Sequence, residues 1–149
     1  MEIRELCYDD LEKASLVLWK SFYNAEKNNH SMAGMEKFRD LTSAVSLSIN
    51  TYDGKTSLYG LFCGEDLCAV GALREKKHVV MLYVHPEEQN KGYGARLLSY
   101  MEALCNEDCI TLNSSDVAVD FYKKMGYEVV SSRRVEEEMI FTPMMKKRT

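Results

Sequence analysis

The stretch Gln89-Asn90-Lys91-Gly92-Tyr93-Gly94, followed by Ala95 and an apolar helical pattern, combines residue types and spacing that could hold an anion. Glycine takes up positive φ at little cost and lets a ligand approach the main chain closely. The first four N–H groups of a helix have no internal partner, and the aligned peptide dipoles place roughly half a positive charge at that end. A strand, a glycine turn and a helix in that order over residues 82–104 therefore offer a phosphate site. The spacing is neither that of a P-loop, G-x-x-x-x-G-K-[ST], nor the dinucleotide pattern G-x-G-x-x-G. On spacing alone, an anion site and an unliganded tight turn fit equally well.

Other chemistry-bearing residues are scattered. Tyr122 falls about 100° from Phe121 around a helix, at the edge of an apolar stripe, which is also where a packing residue sits. Asn113 stands beside a helix start, where it could serve as a cap. The five cysteines, at 7, 63, 68, 105 and 109, are odd in number, and their spacings lack the paired short gaps of zinc sites. They read as reduced, mostly buried thiols, and no metal is expected.

The elements that must position these residues follow from periodicity. Residues 1–7 alternate weakly, as a first strand. Asp9 and Glu12 resemble a capping box, after which Leu11, Ala14, Leu18 and Phe22 mark an amphipathic helix. A loop at Asn28-Asn29-His30-Ser31 ends it, and a shorter helix carrying Met35, Phe38 and Leu41 follows. Val45, Leu47 and Ile49 alternate with serines and fit strand, helix or irregular structure, so residues 42–56 stay open. Leu58–Cys63 and Leu67–Leu73 form a hairpin around Gly64-Glu65-Asp66. Val79–Val84 is continuously apolar, the pattern of a central strand covered on both faces, and Pro86 ends it.

Beyond the glycine turn, Tyr93, Leu97, Met101 and Leu104 predict a helix of about 14 residues. Ile110–Leu112 is a short strand. Val117, Phe121 and Met125 mark another helix, which Gly126 terminates. Tyr127–Ser132 and Met139–Met144 are two last strands separated by the charged run Arg133–Glu138. The expected architecture is a single α/β domain over 1–149, with a mixed, mostly antiparallel sheet and helices on both faces.

Composition excludes several classes. With 149 residues, 46% hydrophobic and 28% charged, the chain has the make-up of one globular domain. The longest apolar run, Val79–Val84, is far short of the ~20 residues of a membrane span, so no membrane partner is expected. A formal charge of −4 argues against general nucleic-acid binding, which draws on a basic surface. The opening Met1-Glu2-Ile3-Arg4-Glu5-Leu6 lacks the pattern of a secretory signal, and a cytoplasmic location is expected.

The segment LYVHPEEQNKGYGARLL (82–98) resembles the acetyl-CoA-binding motif of the Gcn5-related N-acetyltransferase (GNAT) superfamily, Q/R-x-x-G-x-G/A. Gln89, Gly92 and Gly94 match it, and V-x-P precedes it at Val84, His85 and Pro86. LNSSDVAVDFYKKMGYEVV (112–130) resembles the family's Asn after the fifth strand and its A-x-x-F-Y-x-K-x-G-F segment. The resemblance covers nearly the whole chain and is weakest over 28–56. It implies acetyl-CoA as cosubstrate, a primary-amine acceptor that is a small molecule or a peptide, and direct acetyl transfer in a ternary complex; similar proteins often form dimers. A non-catalytic acyl-CoA-binding or regulatory module of the same fold is the alternative.

The same resemblance assigns the site. Backbone amides of Gln89, Asn90, Lys91, Gly92, Tyr93, Gly94 and Ala95 would wrap the pyrophosphate of coenzyme A. Asn90 replaces a frequent Gly but tolerates positive φ, and Lys91 and Arg96 could add charge. The pantetheine arm would run between parallel strands 79–84 and 109–112 that splay apart. N–H groups of Leu82, Tyr83 and Val84 would hold the thioester carbonyl, Asn113 would bond the pantetheine arm or an ordered water, and Tyr122 would donate to the departing thiolate.

Some members carry a Glu on the fourth strand as general base, but this sequence reads His78-Val79-Val80 there. A lysine-type amine costs about 4.6 kcal/mol to deprotonate at pH 7 and an α-amine about 1.4, so the missing carboxylate leans toward a less basic acceptor or a water relay. His78, His85, Glu75 and His30 are the fallback bases, and Trp19, Phe22 and Tyr23 are candidate acceptor-pocket residues.

Overall fold

The computed structural model describes residues 1–148. Strand β1 (Glu2–Glu5) is followed by helices α1 (Leu11–Glu26), α2 (Met32–Leu41) and α3 (Ala44–Thr51). Strands β2 (Thr56–Cys63), β3 (Asp66–Arg74) and β4 (His78–Val84) form an antiparallel meander. Then come α4 (Tyr93–Leu104), β5 (Cys109–Ser114), α5 (Val119–Lys124), β6 (Glu128–Val129), β7 (Arg134–Glu136) and β8 (Met139–Lys147). One mixed sheet runs in the order β1-β2-β3-β4-β5-β8-β6, with β7 paired to the start of β8. Only β4 and β5 are parallel neighbours among the described residues.

The two-residue period of the strands splits the core into two layers. Tyr59, Leu61, Ala69 and Leu73 face α4, which buries Leu97, Leu98 and Met101 completely. Full burial of such a side chain contributes about 1.5–3 kcal/mol. Leu58, Phe62, Val70 and Ala72 face the other way, against α1, α2 and α3. Helices thus cover both faces.

Several expectations change in detail. The Asp9–Glu12 capping box is replaced by a tight turn two residues earlier: the Asp10 carboxylate accepts from the Cys7 amide at 2.8 Å and from Arg4 at 2.9 and 3.1 Å. Residues 44–51 are helical because Ser43 accepts from the Ser46 amide at 3.2 Å, a side-chain cap that strand geometry would not use. Helix α4 has 12 residues. The charged run 133–138 contains β7, which pairs through its backbone and buries nothing, so it leaves no apolar signal. Only Glu128–Val129 of the segment 127–132 is strand. Strand β4 is central, yet only Val79 is fully buried, because beyond it the strand borders a cleft instead of a packed neighbour. No helix among the described residues is long and apolar enough to cross a membrane.

Candidate active site

Strands β4 and β5 bond to each other only at His78–Thr111 and Val79–Leu112. Beyond Val79, β4 stays paired to β3 from Met81 to Val84 but has no partner on the β5 side. Meanwhile β5 continues to Ser114 against β8. The parallel pair therefore opens into a V, and the gap is a cleft of about 410 Å³.

One wall is β4 itself, including Leu82, Tyr83 and Val84. The glycine turn closes one end through Gln89, Asn90, Gly92, Tyr93, Gly94 and Ala95. Asn113, Phe121 and Tyr122 lie on the β5–α5 side. The expected site residues are thus brought together, with Lys91 the exception. Its ammonium pairs with Glu88 at 2.6 Å and points along the surface. Arg96 likewise stays outside, with a guanidinium nitrogen 3.6 Å from the Met1 sulfur.

The turn is built to expose backbone donors. Gln89 donates its side-chain amide to the Val84 carbonyl at 2.9 Å, tying the turn to the end of β4. Asn90 and Gly92 both have positive φ, 65° and 80°, and Gly92 is the residue that opens α4. Among the described residues, the amides of Asn90 to Ala95 donate to no backbone or side-chain acceptor, while Arg96 N resumes the helical pattern to Gly92 O at 3.1 Å. The turn that carries these orphan donors lines the cleft, and the helix that starts there adds roughly half a positive charge at that end. At Gly94 a Cβ would stand 3.4 Å from Val84 and 3.6 Å from Phe121, so the helix start, β4 and α5 meet closely there.

Tyr122 is 6% exposed, and its ring packs against Phe121 and Tyr127 at centroid distances of 5.2 and 5.7 Å. Burial raises its phenol pKa, which keeps the proton on oxygen as a donor requires. Tyr83 is raised in the same direction, first by burial and then by the Tyr122 and Glu26 charges. Asn113 occupies a strand position opposite Pro143 and caps nothing; the following short turn opens at Ser115.

The fallback bases fall elsewhere. His78 sits at the closed end of the strand pair, its Nδ1 2.7 Å from Thr111 Oγ1. Burial and then the Arg74 charge lower its pKa. His85 accepts from the Glu87 amide at 3.1 Å and so caps a turn. Glu75 lies in the β3–β4 turn near Lys77. From α1, it is Ser21 and Ala25 that reach the cleft, a small-residue pair at i, i+4 that hydrophobic periodicity does not flag. Phe22 instead stacks on Phe38 at 3.8 Å in the core, Trp19 packs beneath Arg39, and Tyr23 is half exposed.

A family model described as the acetyltransferase (GNAT) domain matches residues 25–148. This chain belongs to the GNAT acetyltransferase family. No curated protein matches it in sequence. Among solved structures, a GCN5-related N-acetyltransferase from Rhodopseudomonas palustris is similar with TM-score 0.88 at 20% identity, covering 99% of this chain and 95% of that one. The PaiA N-acetyltransferase from Thermoplasma acidophilum, solved in complex with coenzyme A, reaches TM-score 0.83 at 24% identity, covering 99% and 98%. At these identities the likeness establishes the GNAT fold, including its parallel pair β4–β5, and the cleft described above lies at that pair.

Proposed function

We propose that this protein transfers an acetyl group from acetyl-CoA directly to a primary amine, with both substrates bound together. The observation that carries the reading is the run of amides at Asn90–Ala95 that donate to no acceptor in the protein, in a turn that lines the same cleft as Tyr122. Coenzyme A carries a diphosphate and a thioester on one flexible arm, so a site for it needs an anion cradle and a reaction point joined by a groove. Binding of coenzyme A by a GNAT protein of the same fold supports this reading.

In the proposed reaction the amides of residues 89–95 bind the diphosphate and the pantetheine arm lies in the β4–β5 gap near Asn113. The free edge of β4 at Leu82–Val84 turns N–H groups toward the thioester carbonyl, where negative charge develops during attack. Tyr122 donates a hydrogen bond to the departing sulfur. With ordinary values near 10 for the phenol and 8.5 for a thiol, full proton transfer is uphill by about 2 kcal/mol. Burial increases that gap, so stabilisation of the thiolate by the hydrogen bond is the larger share.

The test is thiol release from acetyl-CoA across a panel of amines, alongside a coenzyme-binding isotherm. Amine-dependent release supports the reading. Tight coenzyme binding with no turnover on any amine supports a non-catalytic acyl-CoA-binding module instead.

A further inference from the structure

What holds the Tyr122 ring is packing, edge-on against Phe121 at 5.2 Å and Tyr127 at 5.7 Å. Phe121 is its neighbour on α5, a helix of only six residues, so it moves with Tyr122 and fixes nothing from outside. Tyr127 comes from beyond the helix. Gly126, with φ of 98°, folds the chain back, and the Tyr127 N–H donates to the Tyr122 carbonyl at 3.0 Å. Tyr127 therefore meets Tyr122 through both backbone and ring.

Tyr127 is itself anchored. It is 2% exposed, and its hydroxyl donates to Glu102 Oε2 at 2.7 Å. The Lys146 ammonium stands 3.2 Å from both oxygens of the same carboxylate and balances its charge. Burial and then the Glu102 hydrogen bond raise the Tyr127 pKa, so the phenol stays the donor. A hydrogen bond to a carboxylate is roughly twice as strong as a neutral one. Phenylalanine would fill the same space without drawing a carboxylate out of water, so the network adds direction more than net stability.

Glu102 lies on α4, the helix whose first residues carry the orphan amides of the glycine turn. Ten residues separate Gly92 from Glu102, a span of about 15 Å along one rigid helix. One element thus bears the anion cradle at its start and, through Glu102 and Tyr127, the support of the Tyr122 ring near its end.

We propose that Glu102 and Tyr127 are positioning residues: their hydrogen bond fixes the Tyr122 phenol relative to the coenzyme cradle at the start of α4. The proposal rests on the acetyl-transfer reading and on Tyr122 as its donor.

The experiment is a double-mutant cycle on kcat, run with the amine that gives the fastest thiol release, beside calorimetric coenzyme binding. Tyr127→Phe removes one oxygen and keeps the ring. It is expected to lower kcat about fivefold or more, with the coenzyme Kd within about twofold of wild type. In a Tyr122→Phe background the same change is expected to have little further effect, because no hydroxyl is left to place. Glu102→Ala is expected to follow Tyr127→Phe in both backgrounds, and Glu102→Gln, which keeps an acceptor oxygen, to recover part of the loss. In the free protein, Glu102→Ala is expected to move the Tyr122 Cζ resonance, identified by its disappearance in Tyr122→Phe. An undiminished kcat in Tyr127→Phe, an equal fall with and without the Tyr122 hydroxyl, or an unmoved Tyr122 resonance overturns the proposal. If Tyr127→Phe does not fold, the Glu102→Ala cycle decides by the same criteria. A wild type that binds coenzyme but releases no thiol to any amine overturns the acetyl-transfer reading, and this inference with it.

Discussion

Tyr122 and Asp10 show opposite ways in which a single side chain is held in one protonation state. Burial disfavours the phenolate of Tyr122, so the group stays a donor across the pH range where amines react. If its part is to hydrogen-bond the leaving sulfur, Tyr122→Phe lowers kcat by about tenfold or more while the coenzyme Kd stays within about twofold. Steady-state kinetics with a coenzyme-binding isotherm reads both numbers, and undiminished turnover in the variant contradicts the role. Asp10 is held below its ordinary pKa, first by the Arg4 hydrogen bonds. A lowered folded-state pKa adds stability above the unfolded value near 3.9 and loses it as pH falls toward the folded one. Asp10→Asn is therefore expected to lower Tm at pH 7, with the difference from wild type shrinking once the pH drops below about 4. A Tm series against pH checks it.

At the scale of elements, the start of α4 carries the account. Gly92 opens the helix with φ of 80°, a conformation that costs an L-residue about 1–2 kcal/mol. Gly92→Ala is expected to lower Tm by a few degrees and to weaken coenzyme binding more than tenfold, because relaxing the strain re-aims the amides. Calorimetry and thermal unfolding measure the two effects. This turn was legible from residue types alone, as were β2, β3, β4 and α4: the first two are β-rich runs around a turn signal, β4 is a continuous apolar run and α4 has a helical period. Helix α3 was not, because Val45, Leu47 and Ile49 alternate with serines that serve as caps and exposed positions, a pattern common to both periods. Strand β7 hid in a charged run for want of a buried face. The Tyr127–Glu102 bond and the burial of His30 beside Glu26 were invisible for a different reason: both are made by distant elements closing over one another, and no local pattern encodes that.

At the scale of the molecule, one sheet is stabilised on both faces but left unbonded along most of one edge of β4. The two core layers hold β4 from Val79 backward, and the divergence toward Val84 leaves a row of backbone groups for a ligand to complete. A ligand binding the folded state alone at 100 times its Kd adds about 2.7 kcal/mol, which for a domain of this size raises Tm by about 5–10 °C. Acetyl-CoA is expected to do so and to slow amide exchange at residues 80–84 and 90–95, while residues 58–63 in the covered meander change little. Hydrogen exchange with and without the coenzyme maps this; uniform slowing would show that the cleft is not where it binds.

The most direct measurement is a crystal structure with acetyl-CoA bound. The account predicts the diphosphate within hydrogen-bond distance of the amides of residues 90–95 and the thioester carbonyl at the free edge of β4, with the Tyr122 hydroxyl on the sulfur side. A coenzyme whose diphosphate lies away from that turn, or a turn left empty at saturating coenzyme, would contradict it.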